Sequence, residues 1–499
     1  MRLLLTLLIC TILIPLSHQT AQAVTASEMR AFWVDAFHNG FKTPQQIEQL
    51  VHDTEYANMN TLVVQVRRRS DAYYQSQVEP RSNDPSLAPA PFDPLQTLID
   101  TAHARDIEVH AWIAALPVWG DNIGNVPDDH ILNYHSTNAS GDNDWVMRSI
   151  DGDIRDSEKN IWLDPGHPAV IDYTEAVVRD LLVHYPEVDG IHLDRIRYPG
   201  TEFGYNPTAV ARFNARFGRT GTPEPSDPLW TEWRRKQVTA LVHRVMLTTV
   251  ELAPHARVSA AVIAWGDGPT QMRGWERSTP YKQALQDWQL WLQQRFIDTA
   301  IVMNYDREYV PQQRTYFNNW LEWQTASGRG PVVVGIAGYL NSVDDTVAQI
   351  KRAQQTGARG IAIYSYAVTN KDDQTRRVLL QALRDGPFRQ LVPMSPMRWK
   401  EVRGALQGTL QNIDGIAVDG TVVIITGPET RFVMSNASGW FGAPGLTPGT
   451  YTALIRLHDD EVVWSQSEVS AGTVTEVQRW TAGTLSPREQ LLMMLRPYK

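Results

Sequence analysis

Cysteine is nearly missing from this sequence: Cys10 is the only one in 499 residues. It lies in an apolar run, Leu3 to Leu16, that follows a single arginine and precedes Ala21-Gln22-Ala23. That arrangement is the pattern of a secretory signal with a small-x-small cleavage site, so residues 1–23 are expected to be removed and Val24 to begin the mature chain. The mature protein then has no thiol, which excludes disulfides, a cysteine nucleophile and a thiolate metal site. A large secreted protein without disulfides points to a periplasmic or extracellular bacterial setting. No second apolar stretch is long enough to cross a bilayer, so no membrane span is expected after cleavage.

Other absences narrow the chemistry. Signal removal leaves 45 basic residues against 55 acidic ones, and no basic stripe offers a footprint for nucleic acid. There is no H-E-x-x-H and no tight His/Asp cluster, so no metal is expected. No G-x-S-x-G elbow and no glycine-rich phosphate loop occur, which argues against a serine triad and against a dinucleotide cofactor. No cofactor of any kind is expected.

Tryptophan, by contrast, is plentiful at 17 residues. Each indole is costly to bury completely, and surplus tryptophan often lines clefts for sugars or peptides, although core packing is its commoner use.

Between Met29 and Phe388 short apolar runs alternate with segments of helical periodicity. Strands are expected at 29–37, 60–67, 107–116, 188–194, 256–265, 297–306, 331–340 and 360–367, each followed by a helix, including 229–252 and 280–295. Eight such units predict an α/β fold, a (β/α)8 TIM barrel over residues 24–388. Residues 389–403 read as a linker or packing strap. From 404 to 482 short strands between Gly, Pro and Asp turns predict a small all-β sandwich, and 483–499 read as a tail.

In such barrels chemistry gathers where the strands end. The strand ends offer Trp33 and Asp35; Gln65 and Arg67; His110 and Trp112; His192 and Asp194; Trp265 and Asp267; Asn304, Tyr305 and Asp306; Tyr339 and Asn341; Tyr364. On the fourth strand Ile191 and Leu193 share one face, so the period-two rule turns His192 and Asp194 into the barrel. Carboxylates, amides, arginines and indoles converging on one rim suit an oligosaccharide. Asp194 is the first catalytic candidate. Its partner acid is open between Asp306 and Glu202, with Asp267 and Asp35 behind them. Asp35, Gln65, Arg67, His110, His192, Arg197, Tyr198 and Asn304 are candidates to bind the substrate or hold the acid, and Trp33, Trp112, Trp265, Tyr305 and Tyr364 to form subsites. Asp164, in "WLDPGHP", reads as the cap of the helix that starts near Pro168.

The segments "RAFWVD", "NTLVVQVRRRSDAYY", "EVHAWI", "WLDPGHPAVIDYTEAVVRDLL" and "VDGIHLDRIRYP" together resemble, in order and spacing, the glycosyl hydrolase-like 10 family of extracytoplasmic bacterial proteins. The resemblance runs from about Met29 to Asp385 and implies a TIM-barrel glycoside hydrolase whose partner is a polysaccharide. A division-associated relative cleaves peptidoglycan glycan strands that have lost their stem peptides, which makes those strands the expected substrate. Some relatives carry a second acid directly after the strand-four aspartate, where this chain has Arg195. The segments "DGTVVIITG" and "GLTPGTY" resemble carboxypeptidase-regulatory or transthyretin-like sandwiches. The alternatives are a non-catalytic glycan-binding envelope protein and a hydrolase of another extracellular polysaccharide.

Overall fold

The computed structural model describes residues 27–482 apart from 121–125, 140, 270–273, 327–329, 413, 457–461 and 478–479. The expected signal and the C-terminal tail lie outside the described residues. Eight parallel strands form a closed barrel: β1 (Met29–Val34), β2 (Thr61–Arg67), β3 (Glu108–Ala114), β6 (Gly190–Asp194), β7 (Arg257–Ile263), β8 (Thr299–Asn304), β9 (Val332–Ala337) and β10 (Gly360–Tyr364). The ring order is β1-β10-β9-β8-β7-β6-β3-β2. A two-stranded ribbon of β4 (Pro117–Trp119) and β5 (Ile161–Trp162) stands outside it, in the long connection after β3.

The helices between the strands begin where the sequence signals them. α1 (Pro44–Tyr56), α2 (Pro94–His103), α3 (Pro168–His184), α4 (Pro207–Phe217) and α5 (Pro228–Leu252) each open on proline, whose missing N–H costs nothing there. The preceding Thr43, Asp93, His167, Asn206 and Asp227 accept the orphan backbone N–H groups. The cap of α3 is therefore His167, not Asp164.

The single helix expected over 280–295 is two short ones, α6 (Thr279–Lys282) and α7 (Trp288–Gln293). Between them Leu285 takes the left-handed conformation with φ 53°, and the buried Gln286 side chain bonds the barrel instead. It accepts from Ile263 N at 2.8 Å and donates to the Ile196 and Ala261 carbonyls, while Asp287 caps α7. α8 (Pro311–Thr325), α9 (Val343–Gln355) and α10 (Arg376–Asp385) complete the outer ring.

Period-two alternation divides the apolar side chains into two cores. Ile191, Leu193, Phe32, Val64 and their equivalents pack against the helices. Trp33, Val63, Trp112, Ile301 and Val333 fill the barrel itself. Gly335 makes room there: a Cβ on it would lie 2.8 Å from the Trp33 indole. The barrel floor is closed by residues 389–398, so that stretch is a packing strap. Met394 packs into the interior cluster and accepts from Thr61 Oγ1 at 3.4 Å, and the Ser395 carbonyl accepts from Arg257 Nη2 at 2.7 Å.

After α11 (Trp399–Val402) the chain forms two further sheets. One holds β11 (Gly404–Thr409), β14 (Trp440–Leu446) and β17 (Val474–Glu476). The other holds β12 (Val422–Thr426), β13 (Thr430–Met434), β15 (Gly449–Arg456), β16 (Val462–Val469) and β18 (Thr481–Ala482). Leu406, Val423, Ile425, Phe441 and Tyr451 form their common core. This sandwich docks on α5 and its neighbours, away from the strand C-termini. His243 stacks on Phe296 at 4.0 Å beside Trp440, and Arg212 pairs with Asp419 at 2.6 Å.

Candidate active site at the barrel mouth

β6 ends on Asp194, and the next residue decides how that carboxylate is held. Arg195 adopts a left-handed backbone with φ 50°, and its N–H turns back to donate to Asp194 Oδ1 at 2.7 Å. A non-glycine residue in that region costs of order 1 kcal/mol, which the surrounding structure must offset. From the neighbouring strand the Trp112 indole N–H donates to Asp194 Oδ2 at 3.1 Å. Two N–H donors on two oxygens suit an acceptor-only carboxylate.

Below this acid the barrel is closed by a neutral histidine. His192 is 0% exposed, and its Nε2 lies 3.1 Å from the Trp33 indole nitrogen. Indole only donates, so Nε2 accepts and Nδ1–H donates to Ser259 Oγ at 2.9 Å. Burial first, then the neighbouring His110, holds this imidazole down to about 3. His110 lies deeper, with Nε2 3.1 Å from Glu108 Oε2 and no exposure. Neither histidine reaches the cleft; His192 holds the Trp33 indole, and both fill the barrel.

Aromatic rings make the floor around Asp194. Tyr305 and Tyr364 stack at 5.8 Å, Tyr339 stands 5.8 Å from Tyr364, and Trp33 and Trp112 each pack edge-on against Tyr364 at 6.3 Å. Burial, with nearby Asp194 adding to it, raises the Tyr305 and Tyr364 phenols, so both remain neutral donors.

Two strands round, directly after β8, comes Asp306. Its backbone carbonyl accepts from Asn341 Nδ2 and Gln349 Nε2, both at 3.0 Å, while its carboxyl has no hydrogen bond or ion pair among the described residues. Burial without compensation pushes that carboxyl up to about 7. Asp35 is placed otherwise. Its Oδ1 accepts from Phe37 N, His38 N and His38 Nδ1, and its Oδ2 is buried with no partner. Gln65 holds the same loop, accepting from Ala36 N at 3.0 Å.

Several candidates are used inside the protein. Arg67, 0% exposed, shares its Nε–H between both Glu79 oxygens at 2.9 Å and directs its other donors onto Ser70 Oγ and the Ala114 and Ala115 carbonyls. It locks the ends of β2 and β3 together and has no donor left for a ligand. Tyr198 is buried and donates to Asp164 Oδ1 at 3.3 Å. Asp164 also accepts from Gly166 N and Asn206 N, tying the loop after β6 to the start of α4. Asn304 is fully buried, outside the cleft. Glu202 is exposed, and nothing in the described residues holds its carboxyl against Asp194.

On the rim beyond Asp194, Arg197 lies 5.2 Å from the Trp265 ring and 5.5 Å from the Trp162 ring. Trp162 is absent from the candidates above: its motif carried the family resemblance, but nothing in the local pattern placed it under two arginines. Among the described residues no group of three or more His, Cys, Asp or Glu side chains could hold a metal ion.

The sequence profile described as "Glycosyl hydrolase-like 10" matches residues 28–352, from the first strand through most of α9. The chain belongs to that family. It is 24% identical over 321 residues to Glycosyl hydrolase YngK of Bacillus subtilis (strain 168), which covers 60% of this chain and 58% of that protein. It is 27% identical over 262 residues to Glycosyl hydrolase DigH of Escherichia coli (strain K12), covering 50% and 55%. The chain thus spans little more than half the length of these relatives. The β-galactosidase of the psychrophilic Marinomonas ef1 superposes with a TM-score of 0.51 at 10% identity, over 72% of this chain and 59% of that one, a likeness of fold. In this member of the glycosyl hydrolase-like 10 family the position after Asp194 is occupied by the left-handed Arg195, so no second acid directly follows Asp194.

Proposed function

We propose that this protein is a glycoside hydrolase of the bacterial cell envelope, acting on peptidoglycan glycan strands that lack stem peptides. The observation that carries the reading is a pair of acids at the barrel mouth in unlike surroundings. Asp194 accepts two N–H bonds, whereas the Asp306 carboxyl has no partner among the described residues and is pushed up to about 7. A carboxyl kept protonated and a carboxylate held by two N–H donors can divide the work of glycosidic cleavage. Asp306 donates its proton to the leaving glycosidic oxygen as the bond to the anomeric carbon breaks. Asp194 supports the positive charge that develops on that carbon, and water adds there to give the hydroxyl of the new reducing end. The water's other proton passes to the carboxylate that Asp306 has become and restores it. The aromatic floor of Tyr305, Tyr364 and Tyr339 offers faces on which sugar rings stack. Family membership and the printed names of the relatives support hydrolysis of glycans. A substrate outside the cytoplasm agrees with the N-terminal apolar run read as a secretory signal, and we place the mature protein in the periplasm or beyond it.

The test is incubation of the protein, beside Asp194→Asn, with peptidoglycan stripped of its stem peptides, and mass spectrometry of the soluble products. Peptide-free fragments carrying an added water, from the unsubstituted protein alone, are expected. Fragments of anhydro mass refute hydrolysis, and silence toward this and other polysaccharides refutes the enzyme in favour of a glycan-binding protein.

A further inference from the structure

The rim beside Asp194 holds an arginine that no carboxylate meets in an ion pair among the described residues, although Asp194 and Glu158 lie near enough to favour its charge. Arg197 is half-buried, and its one hydrogen bond among the described residues runs from Nη1 to its neighbour's carbonyl, Tyr198 O, at 3.2 Å. No carboxylate approaches it within ion-pair distance among those residues. Its guanidinium lies near both the Trp162 and Trp265 rings, at 5.5 and 5.2 Å. Arg195 next to it is paired, with Glu158 at 2.9 Å. Arg67 and Arg234, fully buried where Arg197 is half-buried, direct several donors onto a carboxylate or onto carbonyls, whereas Arg197 directs one. Burial, and Arg195 after it, hold the Arg197 guanidinium down to about 10, which leaves it charged at neutral pH. Desolvating a charge without pairing it is costly, and such a cost persists where a ligand supplies the counter-charge. Trp265 is 41% exposed, an indole standing in solvent beside that arginine.

We propose that Arg197 and Trp265 form a subsite for a sugar that carries a carboxylate. The sugar's apolar face lies on Trp265, and its carboxylate takes the open donors of the Arg197 fork, a geometry that guanidinium matches and ammonium does not. The inference rests on the hydrolase reading and sharpens it: the site then selects an acidic glycan. In peptide-free peptidoglycan that carboxylate is the lactyl group, which is an amide as long as the stem peptide is attached. Uronic acids carry the same chemistry.

The test uses the full chain with Asp194→Asn, which keeps the glycan intact, and follows tryptophan fluorescence. Three ligands are titrated: a muramyl oligosaccharide with free carboxyls, the same oligosaccharide with its carboxyls amidated, and an oligouronate. The free acid is expected to bind about tenfold to a hundredfold more tightly than its amide, the range for a charged hydrogen-bonded contact. Arg197→Gln in the same background is expected to bind acid and amide equally, and Arg197→Lys to fall between. Preference for the muramyl acid or for the uronate identifies the source of the carboxylate. Equal affinity for acid and amide with Arg197 in place, a preference that survives Arg197→Gln, or no binding of either acid overturns the subsite. Turnover by the Asp194-containing protein is measured on the same ligands. Carboxylate-selective binding without turnover keeps the subsite and refutes the hydrolase; turnover indifferent to amidation does the reverse.

Discussion

The Trp112 indole N–H donates to Asp194 Oδ2 across the β3–β6 pair, at 3.1 Å, although Ala114 and not Trp112 is the residue in register with Asp194. Trp112 pairs with His192, one pleat lower, so its ring rises along the barrel wall to reach the acid. The bond therefore depends on the register of two strands and on an indole that only donates. Trp112→Phe keeps the ring and removes the N–H. A charge-assisted hydrogen bond is worth about 1.5–3 kcal/mol, so kcat on a glycan substrate is expected to fall about tenfold to a hundredfold with little change in melting temperature. Steady-state kinetics beside a thermal melt measure both.

If Asp306 is the general acid, as proposed, it sets the alkaline limb. Burial pushes its carboxyl up to about 7, and only the protonated form can donate, so kcat/KM is expected to decline as pH rises through 7. Asp306→Asn is expected to remove that limb and to cost about 10²–10⁴ in rate on natural glycans, the usual share of general acid catalysis. An aryl glycoside with a good leaving group needs no proton and is expected to lose far less. A pH–rate profile on both substrates gives the answer; an unchanged limb in the variant assigns it elsewhere.

The Arg67–Glu79 pair is structural. Both side chains are fully buried and hydrogen-bonded, and Tyr173 donates to Glu79 as well. Removing one partner leaves the other charge buried and alone. Glu79→Gln or Arg67→Met is expected to destabilise the fold by about 3–5 kcal/mol. Denaturant unfolding measures it, and a loss under 1 kcal/mol contradicts the assignment.

His243 ties acid stability to the docking of the sandwich. Burial between Phe296 and Trp440, with Arg244 adding to it, holds this imidazole down to about 3, against 6.5 when exposed. The unfolded chain therefore binds the extra proton between pH 6.5 and 3, and stability contributed by the neutral ring is present above 6.5 and lost as pH falls toward 3. The full effect is up to about 5 kcal/mol. His192 acts in the same window with the same sign. Asp306 acts oppositely: its raised value favours the folded state below the ordinary carboxylate range, and that contribution is lost as pH rises to 7. His243→Phe is expected to flatten, without abolishing, the fall of melting temperature between pH 6.5 and 4. An unchanged slope assigns the acid sensitivity to other groups.

The barrel was legible because its signals are local. Proline after a capping side chain opened helix after helix, and alternation turned Ile191 and Leu193 toward the helices in the expected sense. The same alternation says which face a residue occupies but not how deep it sits. His110, His192 and Asp194 share an inward sense, yet only Asp194 stands at the mouth, because strand tilt and register set depth. Arg67 ends its strand just as Asp194 does, and is sealed off by Glu79, twelve residues on in a loop whose path no periodicity describes.

The alternation of barrel strands and helices, the closed (β/α)8 architecture and the β-sheets that follow were legible in the sequence because each follows from spacing along the chain, and the family was legible through motifs that resemble its members. The tertiary structure decided which polar residues are exposed and which are spent. It put Trp112 and the left-handed Arg195 on Asp194, left the Asp306 carboxyl without a partner among the described residues and set Arg197 beside Trp265 and Trp162. Those outcomes depend on where one strand meets another and how deeply each is buried, and both are settled only when the barrel closes.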